Sequence, residues 1–265
     1  MPVSRTGTAY EVHGPVDAPV IVLIHGLGLT RASTWGEMVP AFARHFRVVA
    51  YDLCGHGETA LPDQPVNLTL LSEQVIALMD ELAIARAALV GFSLGGMINR
   101  RCTMDHPDRV SALVILNSPH ERGEEQQKLV EERARDTGAG GPAANIDVTL
   151  ARWFTEGFRR DHADVVSAVK DVVLANDHGN YAAHRQVLAE GVKELIRPQP
   201  PINHPVLVMT CENDTGSTPA MSHVIGSEIE GSEVMIVPAL QHLGLIEQPD
   251  AFSAPIIDYL RRTLG

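Results

Sequence analysis

The chain has 265 residues, of which 45% are hydrophobic and 20% are charged, so it has enough apolar material for a buried core and does not look disordered. Its formal net charge of −12, without a basic stripe, argues against binding to nucleic acid or to an anionic membrane surface. The length suits one large domain or a domain with an insertion.

Cysteine usage indicates the compartment. Cys54, Cys102 and Cys211 are widely spaced and form neither a CxxC pair nor a disulfide framework, which is typical of a reducing cytosol. The N-terminal stretch MPVSRTGTAY lacks an apolar core, and the run Val20–Ile24 is too short to span a bilayer. We therefore expect a cytoplasmic protein without a signal peptide or membrane span. The sequence leaves the oligomeric state open and is compatible with a homo-oligomer.

Six short apolar runs predict buried strands, because their apolar residues are consecutive rather than alternate. These runs are Val20–Ile24, Val48–Tyr51, Ala87–Val90, Ala112–Leu116, Val206–Cys211 and Val234–Val237. Between them, apolar residues at helical spacing from Leu71 to Leu82 predict a helix that Thr69 caps. Strands that alternate with helices predict an α/β fold with a mainly parallel sheet.

The alternation stops between residues 120 and 199, where the sequence is helical in pattern and poor in strands. This break predicts a helical cap over 120–199, inserted between two parts of the core at 1–119 and 200–265. The mixed-charge run at 121–136 is interpreted as the solvated face of a cap helix. The last helix is expected to start at Ser253 as its N-cap, with Pro255 in its first turn.

The stretch LVGFSLGGM at residues 89–97 matches the pattern G-x-S-x-G at Gly91, Ser93 and Gly95. A strand before it and a helix after it provide the context in which this pattern exposes a nucleophilic serine. Glycine is needed because the positions two before and two after the serine crowd each other at a sharp turn. The alternative is an ordinary glycine-rich turn that cradles phosphate.

Two backbone N–H groups are candidates for an oxyanion hole, which stabilises the negative oxygen of a tetrahedral intermediate. One belongs to Leu94, at the start of the helix that follows Ser93. The other belongs to Leu27 in the loop HGLG, directly after the run Val20–Ile24. His25 of this loop is interpreted chiefly as a structural residue that holds the loop by a hydrogen bond.

A serine nucleophile needs a base and an acid, which in this architecture follow it in the order acid, then histidine. His242 lies in a loop after the last predicted strand, whereas His223 lies within a helical pattern and is expected at the surface or in packing. Asp214 follows the strand Val206–Cys211 and is the preferred acid, with Glu212 as its competitor. Asp214 would fix the tautomer of His242 and stabilise the imidazolium.

The stretch DLCGHGET at residues 52–59 contains Asp52 and His56, which are interpreted as part of the loop architecture rather than as ligands. No spacing in the sequence resembles a metal site, and neither HExxH nor CxxC occurs. We expect no metal and no cofactor.

Five motifs occur in the order found in the α/β-hydrolase superfamily, which the whole chain resembles. They are HGLG, D-x-x-G-H-G, GFSLGG, the END loop and the QH loop. The resemblance implies an α/β-hydrolase fold, with a mainly parallel sheet flanked by helices and an inserted helical cap.

The cap segments RWFTEGF and VVLANDHGNYAAH, and the later stretch EQPDAFSAPIIDYL, resemble 3-oxoadipate enol-lactonases and their relatives. That family hydrolyses a small, carboxylate-bearing lactone in aromatic catabolism, and the resemblance implies a similar substrate. Arg152 and Trp153 are candidate pocket residues, with Arg152 pairing a substrate carboxylate, and His25 is a further candidate contact. Surface pairing of Arg152 and cap packing of Trp153 are the alternatives.

Three features depart from the family pattern and bear on the substrate more than on the reaction. Cys54 replaces an expected arginine, Cys211 replaces an expected glycine, and the loop NSPHERGEE after Leu116 differs from the expected one.

The sequence therefore predicts a serine hydrolase that acts on a small carboxylic ester or lactone through an acyl-enzyme. Cleavage of a C–C bond in a ring-fission diketone, or of an amide, is the alternative on the same three residues. A ligand receptor with little turnover is a third reading. The expected partner is a small-molecule substrate.

Overall fold

Among residues 2–265, the computed structural model has seven strands in one sheet, and they include all six predicted ones. The structure describes the backbone of residues 2–265 and the side chains of residues 2–135 and 140–265; Met1, the first residue of the predicted segment 1–119, lies outside the described residues. The strands are β1 (Tyr10–His13), β2 (Val20–Ile24), β3 (Arg47–Tyr51), β4 (Ala87–Phe92), β5 (Val110–Leu116), β6 (Val206–Cys211) and β7 (Glu233–Val237).

The strand order across the sheet is β1-β3-β2-β4-β5-β6-β7. Strand β1 runs antiparallel to β3, and all the other neighbours are parallel. The sequence does not reveal β1, because its four residues YEVH are half-buried or exposed and form no apolar run. The prediction of a mainly parallel sheet is confirmed.

Twelve α-helices lie in the described part of the chain and flank this sheet or form a separate layer. They are α1 (Arg31–Trp35), α2 (Val39–Phe42), α3 (Leu68–Glu81), α4 (Leu94–Asp105), α5 (Glu124–Gly140), α6 (Ile146–Trp153), α7 (Glu156–Asp161), α8 (Ala163–Leu174), α9 (His178–Glu190), α10 (Pro219–Ser227), α11 (Gly244–Glu247) and α12 (Pro249–Leu264). Helices α5 to α9 all lie between β5 and β6, and we propose that they form the cap expected over 120–199.

The predicted cap of α3 is wrong by two residues. The helix begins at Leu68, and Asn67 is its N-cap, because the Asn67 side chain accepts a hydrogen bond of 2.8 Å from the N–H of Leu70. Thr69 lies within the first turn instead. The apolar residues that predicted the helix face the core as expected, including the buried Leu71, Val75 and Met79.

The predicted start of α12 is also wrong. The helix begins at Pro249, where a proline is well accommodated because the first helical N–H has no intrahelical partner. Ser253 is a buried residue inside the helix, and Pro255 lies inside it as well. Proline at this position removes one N–H donor from the helix. The buried side chains of Phe252 and Ile256 pack into the core and hold the helix in place.

The central strands β4, β5 and β6 are buried almost throughout, as the consecutive apolar residues predicted. Because these strands and β7 are parallel, their carboxyl ends meet at one edge of the sheet. The residues that follow these ends include Ser93, Asn117, Asp214 and His242. An α/β sheet gathers its functional groups at this edge.

Candidate active site

Ser93 occupies the sharp turn between β4 and α4. Its backbone has φ 55° and ψ −111°, a conformation that non-glycine residues rarely adopt and that indicates stored strain. A Cβ atom at Gly91 would overlap the carbonyl oxygen of Gly95, and one at Gly95 would overlap the carbonyl oxygen of Ile24. The glycines therefore provide the space that the strained turn requires, as the sequence predicted.

Three predicted side chains meet in one hydrogen-bonded chain at the edge of the sheet. Ser93 Oγ lies 3.2 Å from His242 Nε2, and His242 Nδ1 lies 2.6 Å from Asp214 Oδ2. Ser93 and Asp214 are buried, with 6% and 3% of their surface exposed, whereas His242 is half-buried. The arrangement suits proton transfer from serine to histidine, with the carboxylate opposite the other ring nitrogen.

Asp214 is held as a carboxylate by several donors. Its Oδ1 accepts hydrogen bonds from the N–H groups of Gly216 at 2.8 Å and Ser217 at 2.9 Å. Its Oδ2 accepts from Asn117 Nδ2 at 2.9 Å in addition to His242. Burial alone would raise the pKa of Asp214, but the charge of His242 and these hydrogen bonds together hold the pKa below its usual value.

Sequence reasoning missed Asn117, which follows β5 directly. Its backbone φ of 44° lies in the left-handed region, which asparagine tolerates better than most residues and which aims its amide at Asp214. The available signal was its position: a polar residue after a buried parallel strand lies at the same edge as Ser93 and Asp214.

The competing residues lie outside this chain of hydrogen bonds. Glu212 is exposed, and its carboxylate accepts a hydrogen bond of 2.9 Å from the N–H of Ala239. His223 is exposed on α10. The geometry therefore favours Asp214 over Glu212 and His242 over His223.

One candidate oxyanion donor belongs to the residue after Ser93, and the other lies in a loop that lines the same cavity. The N–H of Leu94 is at the first position of α4, where donors have no intrahelical partner. In the neighbouring loop, the N–H of Gly28 donates to His56 Nε2 at 3.1 Å and that of Leu29 donates to the carbonyl of Gly26. Within the described residues, no protein acceptor takes the N–H of Leu27, which lines the same cavity as Ser93.

The suggestion that His25 contacts the substrate is wrong. Its side chain is fully buried, and its Nε2 accepts a hydrogen bond of 2.9 Å from the N–H of Leu53, while Nδ1 lies 2.8 Å from the carbonyl of Gly26. Both ring nitrogens therefore serve the loops, which matches the structural interpretation. Asp52 is likewise structural, because it binds the N–H and guanidinium of Arg31 and the N–H of Glu58.

A cavity of about 120 Å³ opens in front of these three hydrogen-bonded side chains. Ser93, Asp214 and His242 line it, together with the candidate pocket residues Arg152 and Trp153 from the proposed cap. The indole ring of Trp153 lies 6.2 Å from the imidazole of His242. The backbone carbonyl of Trp153 accepts a hydrogen bond of 2.8 Å from the N–H of Leu243. The cap is thus tied to the loop that carries the histidine.

Two further arginines of the cap, Arg122 and Arg185, line the same cavity. Sequence reasoning assigned the run 121–136 to a solvated helix face, which fits most of its residues because they are exposed or half-buried. Arg122 precedes α5 and turns into the cavity instead. No local pattern distinguishes it from its charged neighbours.

Comparison with known proteins identifies the family to which the chain belongs. The family model for the alpha/beta hydrolase fold matches residues 19–249. The chain belongs to the α/β-hydrolase family. Its fold is the one expected from the five ordered motifs.

Individual relatives extend this assignment. The chain is 29% identical to 3-oxoadipate enol-lactonase 2 of Acinetobacter baylyi, over 96% of this chain and 92% of that protein. It is 24% identical to a putative carbamate hydrolase RutD of Variovorax paradoxus, over 96% of each. The crystal structure of the enol-lactonase from Burkholderia xenovorans superposes with a TM-score of 0.85 at 31% identity, covering 96% of both chains. The resemblance to 3-oxoadipate enol-lactonases and the expectation of a hydrolytic enzyme are confirmed.

The two cysteines that depart from the family pattern are both thiols in this α/β hydrolase. Cys54 Sγ lies 3.8 Å from Nε2 of His184 on α9, and burial raises the pKa of Cys54 to about 11. Burial likewise raises the pKa of Cys211, at the end of β6, to about 12. Neither is suited to act as a nucleophile at neutral pH, since the thiolate is the reactive form.

The described residues contain no group of three histidine, cysteine or acidic residues placed to hold a metal ion. Across the same residues, every helix is too short or too polar to serve as a membrane span.

Proposed function

We propose that this α/β hydrolase cleaves small carboxylic esters or lactones through an acyl-enzyme on Ser93. The observation that carries the proposal is the continuous chain of hydrogen bonds from Ser93 through His242 to Asp214, which opens onto a cavity covered by the cap. The enol-lactonase relatives support a lactone of aromatic catabolism as the substrate. A carboxylate on that substrate would pair with Arg152.

The reaction would begin with attack of Ser93 Oγ on the scissile carbonyl while His242 Nε2 takes the hydroxyl proton. Leu27 and Leu94 would donate their backbone N–H groups to the oxygen that becomes negative. His242 would then return its proton to the leaving oxygen, which breaks the ester bond and leaves the acyl group on Ser93. Water, activated by His242, would release the acid and restore the serine.

Asp214 contributes orientation and charge to this cycle. Because its pKa is lowered, it is a carboxylate throughout the neutral range and can hold the Nδ1–H tautomer of His242. Asn117 and the N–H groups of Gly216 and Ser217 fix the carboxylate in turn.

Labelling with a fluorophosphonate, followed by mass spectrometry, tests the nucleophile. We expect the label on Ser93, and we expect Ser93→Ala to lower kcat for p-nitrophenyl acetate by about a million-fold if the three residues act as a unit. The control is Ser227→Ala on α10, which should retain the wild-type rate. Turnover close to normal in Ser93→Ala would refute the mechanism.

A substrate panel separates the remaining readings of the same three residues. Small lactones and esters should be turned over faster than matched amides and vinylogous diketones. Preference for the diketones would assign C–C cleavage instead, and preference for amides would assign amide hydrolysis. A single burst of product without steady turnover, together with tight ligand binding, would indicate a receptor.

The free thiols Cys54, Cys102 and Cys211 fit the proposed cytoplasmic location.

A further inference from the structure

Three guanidinium groups from different parts of the cap line the cavity that contains Ser93. Arg122 comes from the loop before α5, Arg152 from α6 and Arg185 from α9. Arg122 and Arg185 are half-buried, while Arg152 is more exposed. Three separate elements therefore bring positive charge to one small cavity in a protein whose formal net charge is −12.

These arginines lack the carboxylate partners that several surface arginines of the chain have. Arg101 pairs with Asp105, and Arg109 pairs with Asp80, each at 2.7 Å. Among the side chains that the structure describes, no carboxylate oxygen lies within the 4.0 Å of an ion pair from the three cavity arginines. Arg122 and Arg185 are partly removed from water without a carboxylate partner, so an anionic ligand would complete their surroundings.

The nearby acidic groups offset part of this charge from a distance, but neither forms an ion pair with these arginines. The hydrogen bond of Arg122 goes to the neutral Oε1 of Gln127 at 3.1 Å. Glu131 acts on Arg122 through its charge, but its carboxylate is engaged by Lys193 at 2.5 Å. Among the described residues, Asp214 is the one acidic residue that lines the cavity. Its carboxylate is already hydrogen-bonded to His242.

The three arginines also affect one another. Burial, and then the charge of Arg185, lowers the pKa of Arg122 to about 10. The same two causes lower the pKa of Arg152. The charge of Arg185 thus repels the guanidinium groups of Arg122 and Arg152, and an anionic ligand would relieve this repulsion.

We propose that Arg122 and Arg185 form a second anion subsite, so that the substrate carries two carboxylates besides the carbonyl that is cleaved. This inference rests on the proposed function, in which one carboxylate pairs with Arg152. Guanidinium groups bind carboxylates through paired N–H donors, which suits a small di-acid whose two ends reach different helices of the cap. The hydrolase would thus select a dianionic acyl compound over a monoanionic one of the same length.

Calorimetric titration of the Ser93→Ala variant tests the subsite without requiring turnover. The matched ligands are glutarate and monomethyl glutarate, which share one carbon chain and differ in one negative charge. We expect glutarate to bind about tenfold more tightly or better. Arg122→Gln and Arg185→Gln should each weaken glutarate by about tenfold and leave monomethyl glutarate within about twofold. Arg152→Gln should weaken both ligands.

The control is Arg160→Gln, because Arg160 lies on the cap helix α7, pairs with Asp161 at 2.8 Å and does not line the cavity. This variant should bind both ligands as before, and all variants should melt within a few degrees of the parent. Equal affinity for the two ligands, or equal losses for both in Arg122→Gln and Arg185→Gln, would overturn the proposal. Tighter binding of inorganic phosphate than of glutarate would overturn its assignment to two carboxylates.

The outcomes also distinguish this inference from the proposed function. Ser93 labelling and ester turnover without any preference for glutarate would refute the subsite alone. Selective binding of glutarate with no labelling of Ser93 would refute the serine mechanism and leave the subsite in place.

Discussion

The sheet core and the cap hold their functional groups in different ways. In the core, Ser93, Asp214 and His242 each follow a parallel strand, so the fold brings them to one edge once the strands are paired. In the cap, Arg122 and Arg185 reach the cavity only through the packing of α5 and α9. In the proposed function, the core would therefore supply the chemistry and the cap would select the substrate.

Among the changes that compare the two regions, the largest effect is expected in the core. Asp214→Asn keeps the shape of the side chain and removes the charge opposite His242, so kcat should fall by about ten-thousand-fold, as expected when the histidine tautomer is wrong. Steady-state hydrolysis of p-nitrophenyl acetate measures the loss. Glu212→Gln is the matched control, and a comparable loss in that variant would transfer the role of the acid to Glu212.

A pair of glycines compares how tightly the two regions are packed. Gly95→Ala should destabilise the protein by about 3 kcal/mol, because the new methyl overlaps the carbonyl of Ile24. Gly157→Ala, on the cap helix α7, meets no atom within 4 Å and should stabilise by about 0.5 kcal/mol or more. Urea unfolding gives both values. Equal changes in the two variants would show that the turn at Ser93 is less crowded than the geometry requires.

A cluster of histidines where the core meets the cap should make the stability of the protein depend on pH. The rings of His56 in the core and His184 on α9 are 4.6 Å apart, and His25 lies beside His56. Burial lowers the pKa of all three, that of His184 to about 4. The unfolded chain therefore binds more protons below about pH 6.5, so stability is complete above that value and is lost as the pH falls.

For His184 alone, the free energy of unfolding should drop by about 2 kcal/mol between about pH 7.5 and pH 5. Urea titrations at the two pH values measure this difference. His184→Gln should reduce the drop, while His223→Gln, at an exposed position, should leave it as in the wild type. A wild-type stability that stays constant over this range would contradict the buried, neutral state of the cluster.

The smallest effect sharpens the description of the core site. Asn117→Gly preserves the positive φ of this position and removes the amide that donates to Asp214, so kcat should fall by about tenfold. KM should stay close to the wild-type value, because Asn117 acts on the substrate only through Asp214 and His242. A raised KM with normal kcat would show that Asn117 contacts the substrate instead.

Sequence patterns predicted the strands of the sheet where burial is complete, and failed where it is partial. The consecutive apolar residues of β2, β4 and β6 can be recognised because parallel strands are covered on both faces. The half-buried β1 has no such pattern. Helix starts were harder to place, since Asn67 and Thr69 are both competent caps and only the packing of α3 decides between them.

The sequence by itself determined the candidate triad, because the crowding around Ser93 demands glycine on both sides and the partners follow strands in a fixed order. Only the tertiary structure decided the surroundings of Asn117, Arg122, Arg185 and His25. The first three reach Asp214 or the cavity through strand pairing and helix packing between segments distant in the chain. His25 follows a strand as a catalytic residue would, yet the loops around Gly26 and Leu53 occupy both of its nitrogens, and that depends on contacts no local pattern contains.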